Sequence, residues 1–286
     1  MKIFGGLFFI IVIAIVVFGW LSSGSGADAV VGEVPETSFK AEPVRAVKRH
    51  YQPVDERHFK KPRVEPVMLP EIGRTDVSWG AVGSDSAGNV YLGLAESEDA
   101  PRSAYLVKVN AAGLPTVMGD VVSELKRAGI GPASVSQGKI HSQIVAANDG
   151  YVYFSSFDEA GETEVRLPDY GGHLWRVNAQ SGQWQHLLAT PEALIAVNTD
   201  GRYVYALGYW GHVLYQYDTQ SAKVNKTDVG SVPGHVSRHF LVDGIGHVYV
   251  PKVSQSGINE EPSAMLVELD QNLNPVTEYS LPDYQS

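Results

Sequence analysis

Two regimes of hydrophobic patterning divide the chain. The first is one uninterrupted run: after Met1-Lys2, residues 3–21 (IFGGLFFIIVIAIVVFGWL) carry no charge. At ~1.5 Å per residue, a helix of that length spans roughly the ~30 Å hydrocarbon layer of a bilayer. Trp20 falls near its outer end, where an indole sits well in the interface. The run predicts a transmembrane signal anchor over residues 1–21. Ala27-Asp28-Ala29 reads like an A-x-A cleavage site, so a cleaved signal peptide is the alternative, and both readings export the remainder of the chain. Lys2 precedes the run and no Lys or Arg succeeds it before Lys40, which holds the N-terminus on the cytoplasmic side.

The second regime is a repeat of short alternating segments. A turn Gly followed by a Tyr-bearing strand appears as AGNVYLGL (87–94), DGYVYFSS (149–156), DGRYVYALG (200–208) and IGHVYVPK (245–252). Each is followed by a second strand that ends in Asn or Asp: AYLVKVN (104–110), HLWRVNAQSG (173–182), HVLYQYDTQS (212–221) and AMLVELDQN (264–272). Those endings are hairpin-turn chemistry. Further strands come before each turn Gly, at 77–84, 141–148, 192–198 and 236–242, and others close the units, as at 183–188, 222–229 and 275–281. Each unit therefore reads strand A, turn, strand B, loop, strand C, turn, strand D. Successive turn glycines (88, 150, 201 and 246) are 62, 51 and 45 residues apart. Four antiparallel strands per unit of this size predict an all-β fold, a β-propeller of four recognisable blades. A fifth blade or an incomplete ring stays open as an alternative. One helical interruption is expected at 120–128, with Val121, Val122, Leu125 and Ala128 on one face and Gly129 as its stop.

Between the two regimes, residues 22–70 read as a tether. SSGSG is flexible linker chemistry, and six prolines occur from Pro35 to Pro70. Charge changes sign along the chain: residues 40–63 hold eight Lys/Arg against three Asp/Glu, whereas 75–286 hold twelve against twenty-four. The basic stretch suits a solvated spacer, or an arm lying on anionic headgroups or an acidic partner. The domain reading is anchor 1–21, tether 22–70 and propeller 71–286. Net charge of −10 argues against nucleic-acid binding through bulk charge, and the absence of Cys excludes disulfides, thiolate metal sites and a cysteine nucleophile. No P-loop, nucleophile-elbow, zincin, haem-attachment or EF-hand pattern occurs.

The DG-x-hydrophobic-Tyr strand followed by LWRVNAQSG (174–182) resembles the repeats of quinoprotein-like, SMP-30/gluconolactonase-like and virginiamycin-B-lyase-like propellers. The resemblance covers about residues 75–286 and implies a fold rather than a reaction, since the matching positions build hairpins.

Candidate chemistry gathers where strand A begins and where the B–C loops lie. His141 and Gln143, two apart, are expected to share a face of strand A in the second unit. Counting back from the turn Gly aligns Ser237 with His141 and His239 with Gln143, and His235 precedes them. His141, Gln143, His235 and His239 are thus a candidate set of divalent-metal ligands. Three His and a Gln at a propeller centre resemble the metal site of oligogalacturonate lyases, although that family's local motifs are missing. Capping of strands through hydrogen bonds is the structural alternative. His173 and His212 each come after Gly and open strand C, Tyr209 and Trp210 offer a stacking platform, and Arg166 and Arg238 are cations placed to meet a carboxylate. The B–C loops carry Glu96, Glu98 and Asp99; Asp158, Glu159, Glu162, Glu164 and Asp169; and Glu260 and Glu261. The expectation is a membrane-anchored, extracytoplasmic binding or scaffolding module. It presents an acidic, His- and aromatic-bearing face to a protein partner or a small carbohydrate-like ligand, and its catalytic residues are unassigned. The alternative is a metal-dependent lyase or lactonase acting on a carbohydrate-derived acid.

Overall fold

The computed structural model describes residues 64–72, 75–96, 103–131, 136–158, 171–209, 211–255, 257 and 261–282. The expected anchor over 1–21 and most of the tether lie outside these residues. Among the described residues no helix is long and apolar enough to cross a membrane.

Four antiparallel sheets succeed one another along the chain. The first contains β1 (Thr75–Val77), β2 (Val82–Ser84), β3 (Val90–Glu96), β4 (Tyr105–Val109) and β5 (Pro115–Asp120), with β1 and β2 both paired to β3. The helix α1 (Val121–Arg127) comes next. The second sheet contains β6 (Lys139–Ile140), β7 (Val145–Ala146), β8 (Tyr151–Phe157), β9 (Gly172–Asn178) and β10 (Trp184–Thr190), with β6 and β7 both paired to β8. The third runs β11 (Leu194–Thr199), β12 (Tyr203–Gly208), β13 (Val213–Asp218) and β14 (Val224–Asp228). The fourth runs β15 (Leu241–Val242), β16 (Val248–Ser254), β17 (Ser263–Leu269) and β18 (Pro275–Ser280). This is the expected blade order, each sheet a meander from the inner strand outward.

Why each hairpin forms is visible in its turn. At every A–B turn an Asp accepts from backbone N–H groups ahead of it: Asp85 from Ala87 and Asn89, Asp149 from Tyr151, Asp200 from Arg202 and Tyr203, Asp243 from Ile245 and His247. The glycines at 88, 150, 201 and 246 have φ between +80° and +95°, a region costly for a residue with a Cβ. In three sheets the repeated Tyr then closes the turn, its hydroxyl donating to that Asp: Tyr91 to Asp85 (2.8 Å), Tyr153 to Asp149 (2.6 Å) and Tyr249 to Asp243 (3.0 Å). Burial, with the adjacent carboxylate, pushes the Tyr91 and Tyr153 hydroxyls above the ordinary phenol range. Tyr205 differs by reaching across to Gly246 O in the next sheet. The C–D turns repeat the device with Asn110, Asn178, Asp218 and Asp270 accepting from backbone N–H groups two to four residues on.

Packing between sheets makes three cores. Tyr91, Leu106 and Leu125 meet Ile140, Phe154 and Trp175 between the first and second sheets. Tyr153 and Leu174 meet Val197, Tyr215 and Tyr217 between the second and third. Leu207 and Leu214 meet Val248, Val250 and Val267 between the third and fourth. Among the described residues no such core joins the fourth sheet to the first. Two glycines set how closely the first two sheets approach: a Cβ at Gly83 would lie 1.6 Å from Ile144 O, and one at Gly93 2.8 Å from the Ile140 Cβ. Strand C adds side-chain stitches, Lys108 Nζ donating to Ala179 O and Gln216 Nε2 to Gln271 O.

Two expectations need correction. The inner strand A is not continuous. It breaks between β1 and β2 and again between β6 and β7, carries a register shift at Leu194/Ala196, and shrinks to two residues in β15. Each break carries residues whose backbone bonds outside the A–B ladder; Ile144 N, for example, donates to Val82 O of the neighbouring sheet. The helix forms where expected, with Asp120 accepting from Ser123 N at its start and Gly129 past its end. Ala128, however, caps the C-terminus and is exposed, while Val121, Val122 and Leu125 are buried.

Gly83→Ala is expected to cost about 3 kcal/mol or more in denaturant unfolding, because backbone must move to admit the methyl group. Gly244→Ala, whose Cβ meets nothing within 4 Å, is expected to stay within about 0.5 kcal/mol. Asp85→Ala removes acceptors for two N–H groups, an amide and a buried hydroxyl, and is expected to cost about 2 kcal/mol.

Candidate functional site

The break between β6 and β7 is where the expected chemistry lies. His141 and Gln143 are not ladder residues of a strand but occupy this interruption; Arg238 and His239 occupy the corresponding irregular approach to β15. The two stretches meet across the inner strands. Gln143 Nε2 lies 3.4 Å from His239 Nδ1, and Arg238 Nη1 lies 3.4 Å from His141 Nε2. Residues 96 and 97 positions apart in sequence thus share one cluster, as the repeat alignment predicts. His141 is buried, its ring set edge-on to Trp79 and Phe157, whereas Gln143, Arg238 and His239 are exposed.

Two members of this cluster are not among the residues that the sequence patterns single out. Lys139 begins β6 and is only 4% exposed, with its ammonium 4.2 Å from the centre of the Trp79 ring. Trp79, between β1 and β2, is 41% exposed, so the same indole holds a cation and still offers surface to solvent. A signal for both exists: Lys139 stands two residues before His141, and Trp79 lies within the expected inner strand of the first unit.

His235 does not join this group. Its ring stacks on that of His212 (4.6 Å between centres, 10° between planes), and Ser231 Oγ lies 2.6 Å from its Nδ1. Ser237 Oγ bridges the pair, 2.9 Å from His212 Nε2 and 3.5 Å from His235 Nε2. His212 is 1% exposed and has φ +54°, a left-handed conformation secured by this burial and bonding. His173, 2% exposed, lies 3.0 Å through Nδ1 from His186 Nε2, packed with Trp175. Neither His173 nor His212 presents a free edge to a ligand. Tyr209 is partly buried against the core of the third and fourth sheets, its N–H donating to Ala193 O. Arg166 and Trp210 lie outside the described residues, as do Glu98, Asp99, Glu159, Glu162, Glu164, Asp169 and Glu260; of the Glu96 side chain nothing is described.

A metal bound by His141, Gln143, His235 and His239 does not fit this geometry. A guanidinium only donates, so Arg238 takes the lone pair of His141 Nε2 and sets a fixed positive charge where a cation would have to stand. His235 is engaged elsewhere. Among the described residues no group of three or more His, Asp or Glu is gathered to hold a metal. What the cluster offers is hydrogen-bond donors and positive charge beside an exposed indole.

No protein-family model matches the chain, and no match was found among curated proteins. Solved structures of similar fold include a calcium-binding protein, regucalcin, from Agrobacterium tumefaciens strain C58 (14% identity, 75% of this chain and 79% of that one, TM-score 0.42). They also include the β-propeller domain of the trilobed protease from Pyrococcus furiosus, described as having an open velcro topology (10% identity, 74% and 60%, TM-score 0.43). A luciferin-regenerating enzyme is a third (9% identity, 73% and 78%, TM-score 0.40). This chain spans 60% of the length of the trilobed protease structure. These neighbours include β-propellers, as the four-sheet architecture already indicates, and they carry no information on chemistry here.

The buried imidazoles give the protein a defined acid sensitivity. Burial, with the adjacent His186, pushes His173 down to about 3. Burial pushes His186 down to about 4 against a backbone hydrogen bond at Leu188. Burial and the adjacent His235 push His212 down to about 4, and burial lowers His235. An unfolded chain binds protons at these sites from its ordinary histidine value of about 6.5 downward, while the folded chain stays neutral there. Their contribution is therefore complete above about pH 6.5 and is lost as pH falls toward the folded values of about 4 and 3. Melting temperature is expected to drop steadily between about pH 6.5 and 4, and to drop less in His173→Leu. A flat profile in the parent chain would show that these rings titrate normally.

Proposed function

We propose that this chain is an exported, membrane-tethered β-propeller that works as a binding module rather than an enzyme. Its recognition surface is the end of the blades where the inner strands break. One observation carries the reading: side chains from the second and fourth sheets, Gln143 with His239 and His141 with Arg238, meet at an irregular, partly exposed hub. A regular inner strand directs alternate side chains into the blade interfaces, whereas these breaks release them toward one another. The uncharged run at 3–21 supports the tether, and the Pro-rich segment after it supplies reach. The acidic B–C loops favour a basic protein partner as a further contact of the same module. The lyase or lactonase alternative draws no support from the site, because Arg238 occupies the imidazole nitrogen that a metal would need.

Membrane fractionation tests the tether. The full chain is expected in the carbonate-resistant membrane fraction with its C-terminal body open to added protease from the extracytoplasmic side. A chain starting at residue 22 is expected to lose membrane association altogether. Recovery of the full chain in the carbonate-soluble fraction would overturn the reading.

A further inference from the structure

We propose that His173 and His186 form a proton-sensitive latch on a β-bulge in β10, and that protonation releases the bulge and withdraws Leu187 from the core between the second and third sheets. The latch needs neither the membrane tether nor the hub.

The bulge is visible in the pairing of β10 with β9. Trp184, Gln185 and His186 oppose Val177, Arg176 and Trp175, and Leu188, Ala189 and Thr190 oppose Leu174, His173 and Gly172, so Leu187 is an extra residue with no ladder partner. In a regular strand neighbouring side chains point to opposite faces. Here Leu187 and Leu188 both pack against the core shared by the second and third sheets. The extra residue thus sets two consecutive leucines on one face, at the cost of an interrupted ladder.

His186 stands immediately before the extra residue, on the face turned to the first sheet. Its Nε2 lies 3.0 Å from His173 Nδ1, its ring meets Trp175 edge-on with centres 4.9 Å apart, and a backbone hydrogen bond at Leu188 ties it across the bulge. His173 is 2% exposed on β9, whereas His186 is half-buried and within reach of solvent protons. Charged side chains on the surrounding elements are engaged elsewhere. Lys108 donates to Ala179 O, Asp120 accepts from Ser103 Oγ and Ser123 N, Glu124 pairs with Arg127, and Lys126 is exposed. Lys139 stands over the Trp79 ring, and Arg176 on β9 reaches Gln185 and Asp149.

Two neutral imidazoles share one proton in this gap, one nitrogen donating and the other accepting. A first added proton leaves that bond in place but charges a buried pair. A second turns both facing nitrogens into donors, and the contact cannot persist. Rings released from the latch bind protons as ordinary histidines do, so opening becomes easier as pH falls below about 6.5. An unsupported bulge then competes with regular pairing, in which one of the two leucines flips to the opposite face.

Amide hydrogen exchange of the full chain in a non-ionic detergent, read by mass spectrometry and corrected for the intrinsic pH dependence of exchange, tests the latch. Between about pH 7 and about pH 5, protection over β10 is expected to fall about a hundredfold or more. Protection over β4, which contains no histidine, is the control and is expected to stay constant. His186→Gln keeps an amide able to bond His173 and leaves one titrating ring, so the fall is expected to shrink to about tenfold. The double variant His173→Phe, His186→Phe keeps the ring volumes and is expected to abolish the difference between β10 and β4. Unfolding midpoints at neutral pH show which variants are folded, and His186→Gln decides the matter if the double variant is not. If β10 and β4 lose protection together, or folded His186→Gln loses as much as the parent, the two histidines are not a latch.

Discussion

Everything in this fold hangs on turns that a short polar side chain closes from within. A blade of four antiparallel strands needs three reversals, and the A–B and C–D reversals each leave backbone N–H groups with no ladder partner. Asp85, Asp149, Asp200 and Asp243 satisfy them in the A–B turns, and Asn110, Asn178, Asp218 and Asp270 in the C–D turns. Because the acceptor belongs to the strand end, the turn fixes register as well as direction, and register decides which face of each strand reaches the next blade. Tyr91, Tyr153 and Tyr249 extend the constraint, since each carries its ring on strand B while its hydroxyl reaches back to the turn. Arg202 plays the equivalent part for the third C–D turn: its hydrogen bond holds the Asp218 carboxyl down to about 2.

With register fixed, blade-to-blade packing is governed by residue size. Between the first two sheets Gly83 lets backbone approach backbone, Gly93 admits the Ile140 side chain, and Trp175 and Trp184 fill the space that remains, Trp184 Nε1 donating to Met118 O. Between the second and third, Gly172 serves the same purpose, a Cβ there falling 2.3 Å from Glu192 O. Polar groups enclosed by this packing find partners within it. Trp175 Nε1 donates to Ser156 Oγ, which donates to Gln137 Oε1, whose amide reaches Gly171 O. In the fourth sheet the strand-C polar residue, Glu268, bonds inside its own sheet, to Tyr279 and His247, rather than stitching to another one.

The blades are legible in the sequence because their determinants are local. A turn Gly, an Asx residue and a Tyr at fixed offsets recur whatever the loop lengths between them, so the units align by counting. That same counting places His239 opposite Gln143, a contact across 96 residues, without any view of the third dimension. What escapes depends on how blades are offset from one another. His235 precedes the aligned hub residues in the sequence, yet it stacks on His212, which takes a left-handed backbone at the start of strand C. The inner strands look whole in the sequence, since the apolar residues Trp79, Ala81 and Ile144 fall within their breaks as readily as they would within a ladder. Lys139 stays a strand residue in β6 while Trp79 lies in the break between β1 and β2, and their contact joins two blades in a way that alternation along either strand does not announce.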